Sequence, residues 1–189
     1  NKYYEIIALH YNLYRAYKNP GDRSSYYKCR DFLFSNYKLY TDRQLFSLLV
    51  DIESLCVQNI DAQKQEYNEE KNKLYRFMFD KEIFSPTAEE YIPLILFRNV
   101  LTNTSIPMIE WTDNFVAKYL PKLEPENRDS MKNYWEAQKC LILKEFQGVI
   151  KHAYKINTNV FYLKIDVKLQ YLVAYYELEY LEEARSMID

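Results

Sequence analysis

Glycine is almost missing from this chain: 189 residues hold two, Gly21 and Gly148. That removes most of the backbone freedom required by phosphate-cradling loops and tight two-residue hairpins, and it favours helices over sheets. Histidine is equally scarce. His10 and His152 stand far apart, and neither has a cysteine or carboxylate beside it at ligand spacing, so no metal site is expected. His152 and Cys140 could pair as base and nucleophile only if folding joined them, and each reads instead as a helix-seam residue. The cysteines Cys29, Cys56 and Cys140 are odd in number, widely spaced and set among apolar or aromatic residues. They read as reduced core thiols in a reducing compartment, and the expected location is cytoplasmic.

A long apolar run is also lacking. No stretch of about 18 apolar residues offers a membrane span, and no signal peptide opens the chain. The chain begins at Asn1 rather than Met and stops at Asp189 inside a helical pattern, so a piece of a longer protein is expected. Neither sign of charge dominates: 25 Lys and Arg face 27 Asp and Glu, interleaved throughout. No bulk field draws the chain to nucleic acid or anionic lipid, and no basic stripe with stacking aromatics emerges. The acid pairs Glu89-Glu90 and Glu182-Glu183 fall in first turns of predicted helices, where the helix dipole favours them without a catalytic role. The expectation is a protein with no catalytic grouping and no cofactor, and with neither a nucleic-acid nor a membrane partner.

What the chain has in excess is tyrosine, 20 residues, with aromatics at 17%. One reading is an aromatic, ligand-hungry groove. The other is a biased genome whose tyrosines line helix seams, ring and hydroxyl both satisfied.

Residues Lys2 to Lys18 carry Tyr3, Ile6, Ile7, His10, Tyr11, Tyr14 and Tyr17 at a spacing that makes one helix face. Asn19-Pro20-Gly21-Asp22 ends that helix, with Asp22 placed to cap the next, about Arg23 to Tyr37, which presents Tyr26, Cys29, Phe32, Leu33 and Tyr37. Two helices joined this closely should pack antiparallel. Thr41-Asp42-Arg43-Gln44 is a capping box. The helix it opens has Leu45, Leu48, Leu49, Ile52, Leu55, Cys56 and Ile60 on one stripe, the cleanest amphipathic pattern in the chain.

From Asp61 to Lys73 the sequence is nearly all polar before turning apolar at Leu74, Phe77, Met78 and Phe79. One long helix with a wet first half accounts for this, and a flexible joint between subdomains is the alternative. A second capping box, Thr87-Ala88-Glu89-Glu90, precedes Tyr91 to Leu101, where Pro93 requires a kink or a late start. Ile106-Pro107 and Leu120-Pro121 bracket a short helix holding Ile109, Trp111, Phe115, Val116 and Tyr119. No fixed period joins these pieces, so residues 1–120 read as irregular helical hairpins.

Past Pro125 the pattern regularises. Shifting the chain by 35 residues lays Ala137, Cys140 and Leu141 on Leu172, Tyr175 and Tyr176, and Phe146, Val149, Ile150 and Ala153 on Leu181, Ala184, Arg185 and Ile188. A fixed period in this range is the signature of stacked helical hairpins. Asn157-Thr158-Asn159 makes the turn between the two copies, and the helix Val160 to Leu178, apolar almost all round, should be sandwiched between neighbours.

The segment from Tyr176 through Glu182-Glu183-Ala184 resembles the corner of a tetratricopeptide repeat, and Glu124 to Asp189 is similar to the helical repeats of tetratricopeptide-type proteins from Bacteroidetes-like bacteria. The turn carries Glu179 where the family usually has glycine, and Leu172 stands where the preceding repeat has the small Ala137. The resemblance implies an all-α fold of antiparallel helix hairpins stacked as a superhelical solenoid, with TPR-like repeats over residues 121–189 continuous with the first 120 residues and truncated at the C-terminus. It also implies a concave groove lined by Met131, Tyr134, Gln138, Leu141 and Ile142 from one repeat and Asp166, Leu169, Val173, Tyr176 and Glu177 from the next. The basic and asparagine residues that clamp a peptide carboxylate in chaperone-binding members are missing from these positions. The resulting expectation is a non-enzymatic scaffold or adaptor binding a protein or peptide segment in that groove. The alternative is a regulatory or oligomerising domain of a larger sensor or enzyme, dimerising through exposed solenoid ends.

Overall fold

The computed structural model describes residues 2–19, 23–59, 64–85 and 91–187. Among them there is no strand, and 82% are helical, in ten α-helices joined by short 3₁₀ turns. Two compact units divide at Glu90 and Tyr91.

The first unit contains α1 (Lys2–Lys18), α2 (Arg23–Asn36), α3 (Asp42–Asn59) and α4 (Lys64–Asp80). Adjacent helices pack in succession and α1 also touches α3, with the Tyr17 hydroxyl donating to the Asp51 carbonyl at 2.9 Å. The capping box forms as the sequence predicts: the Gln44 amide donates to Thr41 Oγ1 at 3.3 Å and the Thr41 amide to Gln44 Oε1 at 3.1 Å. The α3 stripe Leu45, Leu48, Leu49, Ile52, Leu55 and Cys56 is buried. Ile60, the Pro20-Gly21-Asp22 turn and the Thr87 capping box lie outside the described residues.

Two local expectations reverse. On α1 the core is taken by Leu9, Leu13 and Ala16, while Ile7, Tyr11 and Tyr14 face outward. Both sides of this helix are apolar, and tyrosine, whose hydroxyl accepts water, takes the wet one. On α4 the polar stretch is not uniformly solvated. Glu70 is buried, receiving a hydrogen bond from Lys73 Nζ at 2.8 Å and an ion pair from Arg30 of α2. Tyr26 completes the group, its hydroxyl 3.3 Å from Glu70 and 3.2 Å from Cys56 Sγ.

The second unit contains α5 (Leu94–Thr102), α6 (Ile109–Tyr119), α7 (Pro125–Ile142), α8 (Phe146–Ala153), α9 (Phe161–Glu177) and α10 (Leu181–Ser186). Pro93 delays the start of α5, and its carbonyl takes the Leu96 and Phe97 amides. Single 3₁₀ turns at Ile106–Met108 and Leu120–Lys122 bracket α6, each built on a proline. α5 and α6 both pack on α7 within this unit.

The 35-residue shift holds at the level of single backbone hydrogen bonds. After α7 the Glu145 amide donates to Cys140 O at 2.8 Å and the Lys144 amide to Leu141 O at 3.2 Å; after α9 the Tyr180 amide donates to Tyr175 O at 2.8 Å and the Glu179 amide to Tyr176 O at 3.1 Å. Both are Schellman caps, whose C′ residue must enter the left-handed region. Lys144 and Glu179 do so, at φ 60° and 62°. The Val149 and Ala184 amides then start the following helices on the carbonyls of Glu145 and Tyr180. α4 ends on the same motif, with Glu82 at φ 57° and the Ile83 amide on Met78 O at 2.8 Å.

Candidate protein-interaction face

α9 is seated by polar contacts with the two helices beside it. Asp166 takes both Nε and Nη2 of Arg98, from α5, at 2.7 and 2.6 Å, and its Oδ2 also accepts the Tyr134 hydroxyl of α7 at 3.0 Å. The paired carboxylate holds the Arg98 guanidinium above its ordinary value, and burial followed by the Asp166 charge pushes the Tyr134 phenol well up. One turn along, Gln170 Nε2 donates to Gln138 Oε1 at 3.1 Å. Since Tyr134 pairs with Asp166 and Gln138 with Gln170, partners advance by four residues together on both helices, and α7 and α9 run parallel.

On the same side, Cys140, Val149 and Ala174 form a small core from α7, α8 and α9, with Leu141, Phe146 and Ile150 around it. Gly148 makes this packing possible, because a Cβ there would meet Cys140 Sγ at 2.7 Å. Burial raises the Cys140 thiol pKa, with Glu145 adding to the effect.

The ten predicted groove residues separate by helix. On α7, Met131 and Tyr134 are buried, while Gln138, Leu141 and Ile142 are half-buried; contacts with α8 and α9 already occupy Tyr134, Gln138 and Leu141. On α9, Asp166 is largely covered and committed to Arg98, whereas Leu169, Val173, Tyr176 and Glu177 are exposed. The sandwich expected for α9 is partial: α7, α8 and α10 pack on it and Leu163, Gln170 and Ala174 are buried, while among the described residues the side that bears Leu169 stays open. That open side is a continuous apolar stripe of Phe161, Ile165, Leu169, Val173 and Tyr176, from 41% exposed at Val173 to 77% at Phe161. Phe161 and Ile165 were not among the predicted residues, although stepping back by four from Leu169 reaches both. Arg98 carried no sequence signal, since its partner lies 68 residues and four helices further along.

The repeat explains which face is open. The shift of 35 residues carries Ser130, Tyr134, Gln138 and Leu141 of α7 onto Ile165, Leu169, Val173 and Tyr176 of α9. The first set meets the loop before α9, α9 itself and the small core. The second set occupies the same positions one repeat later and is exposed. Lys164 and Lys168 edge the stripe at its start, and Glu177 and Glu179 stand exposed at its end.

Elsewhere, a cleft of about 350 Å³ between α6 and α7 includes Asp113, Leu120, Lys132, Trp135 and Glu136. The Asp113 carboxylate accepts Trp135 Nε1 at 2.7 Å and Lys139 Nζ at 3.0 Å, so the cleft's main acid serves the packing of α6 on α7. Among the described residues no cluster of three or more metal-ligating side chains occurs, and no helix is long and apolar enough to cross a membrane. Comparison of the chain with protein-family models, with curated proteins and with solved structures finds no match.

Proposed function

We propose that this chain is a non-enzymatic protein-interaction domain of the tetratricopeptide-like kind, a scaffold or adaptor of the cytoplasm whose hairpins stack as a short solenoid. The observation that carries the reading is the open α9 stripe: five large apolar residues in line, on the face that the preceding repeat uses for contact. A surface patch of this kind is where a protein partner gains most from desolvation. The partner segment is predominantly apolar along the stripe, because the polar complements Ser130, Tyr134 and Gln138 of α7 are replaced on α9 by Ile165, Leu169 and Val173.

The test is capture of partners from source lysate by the wild-type chain and by a Leu169→Glu, Tyr176→Ala variant checked for unchanged helicity. Both side chains are exposed, so folding should survive. A partner retained by the wild type and lost by the variant supports the reading, and equal capture by both sinks it. A second reading, an oligomerising or regulatory domain, is favoured by one further observation: α1 also presents an open apolar stripe, Tyr4, Ile7, Tyr11 and Tyr14, between 59% and 74% exposed.

A further inference from the structure

We infer that the α9 stripe takes the α1 stripe of a second copy of this chain, so that copies associate head to tail, α1 of one lying parallel on α9 of the next. The inference rests on the α9 face being a protein-binding surface and names its occupant. The chain supplies its own template for such a contact. The next helix to lie on this face in the register of the repeat would run parallel to α9, as α9 runs parallel to α7.

α1 meets the requirements of that position. It is 17 residues long, as is α9. Its buried residues Leu9, Leu13 and Ala16 face its own unit, so Tyr4, Ile7, Tyr11 and Tyr14 form a second apolar side pointing away. Their spacing of three and four residues is that of a helix seam. The one polar atom on the α9 stripe is the Tyr176 hydroxyl at its end, and it and the tyrosines from α1 could keep their hydroxyls at the wet margin.

Charge then selects the orientation. Lys18 closes the α1 stripe at its C-terminal end, lying over the Tyr14 ring. Glu177 and Glu179 are exposed at the C-terminal end of α9, and Lys164 and Lys168 edge its N-terminal half. A parallel arrangement brings Lys18 beside the two acids. An antiparallel one brings it beside the two lysines, where like charges oppose docking. Because the two faces are different, the contact is heterologous and does not terminate at two copies unless the rotation closes a ring.

The test is sedimentation of the whole chain over a concentration series, with two single-face variants, Leu169→Glu on α9 and Tyr11→Glu on α1. The wild type should show a mass that rises with concentration beyond a dimer. Each variant alone should stay monomeric, since every copy lacks one of the two faces, with association weakened by about tenfold or more by the charge placed in an apolar contact. The two variants mixed should form a one-to-one pair and nothing larger, because each supplies the face the other has lost. Lys18→Glu should weaken assembly, and Glu177→Lys added to it should restore association. If one variant alone still dimerises and mixing adds nothing, the contact joins like faces and the inference is overturned. A wild type that stays monomeric throughout also overturns it, and lysate capture that depends on Leu169 would then show the α9 face serving a different protein.

Discussion

Among the described residues three helices end on the same left-handed residue geometry, and none of the three residues is glycine: Glu82, Lys144 and Glu179 stand at φ 57°, 60° and 62°. A side chain in this region costs about 1 to 2 kcal/mol, and replacing it with glycine loosens the unfolded chain by about 0.4 to 1 kcal/mol, leaving a net gain of roughly 0.5 to 1 kcal/mol. The helix dipole then separates the three. A lysine beyond a helix C-terminus is favourable by about 0.3 to 1 kcal/mol and a glutamate unfavourable by a similar amount. Glu179→Gly should therefore stabilise by about 1 to 2 kcal/mol, and Lys144→Gly should stay within about 0.5 kcal/mol of zero, once the dipole contribution is added or subtracted. Urea melts followed by circular dichroism measure this, with alanine at each site as the control that keeps the Cβ. A gain of 1 kcal/mol appears as a melting-temperature rise of about 2 to 4 °C if the whole chain melts together, and about twice that if one unit melts alone. Glycine no better than alanine at all three sites would refute the left-handed caps. Equal gains at Lys144 and Glu179 would refute the dipole argument.

Other consequences can be tested on the same material. Burial alone would raise the Glu70 carboxyl, but the hydrogen bonds from Lys73 and Arg30 outweigh it and hold its pKa below the ordinary value. A depressed folded-state value contributes stability above the unfolded pKa of about 4.3 that is lost as pH falls through the folded one, so an acid titration of the wild type should show this loss and Glu70→Gln should lack it. At neutral pH Glu70→Gln should also cost about 3 kcal/mol in a urea melt, since it leaves the Arg30 charge short of a buried partner. Asp166→Asn should cost about 2 to 3 kcal/mol by weakening the hydrogen bonds of Arg98 and Tyr134 together, and Tyr134→Phe about 1 kcal/mol. Burial pushes the Cys29 thiol up to about 12 and the Cys56 thiol to about 11, so both should resist a thiol reagent at pH 8 until urea opens the first unit.

Short-range features could be read from the sequence; features depending on which helix covers which could not. The Thr41–Gln44 box, the late start of α5 at Pro93 and the bracketed α6 rest on contacts within a few residues, and they form as predicted. The 35-residue shift is also local chemistry stated twice, and it reappears bond for bond in the two caps. By contrast, the α1 pattern selected the outer face because leucine and tyrosine stripes look equally apolar to a periodicity argument. Glu70 reads as one more solvated acid until Arg30, 40 residues earlier, is brought to it. The candidate site divides for the same reason. Tyr134 and Leu169 are repeat-equivalent in sequence, yet the first lies buried under α9 and the second is exposed.

The Arg98–Asp166–Tyr134 contact bears on how the second unit comes apart. α10 is six residues long with Ala184 its one buried residue, and the bond from Gln147 Nε2 at 3.1 Å is to the hydroxyl of Tyr180 just before it, so it can fray alone. α9 cannot leave by simple peeling from its C-terminal end, because Asp166 near its start stays tied to a guanidinium on α5 and a phenol on α7, and its release strands both at the same moment. Opening from this end should therefore proceed in one small step and one large one. Amide exchange would divide sharply between α10 and α9, with α5, α7 and α9 exchanging as a single cooperative block.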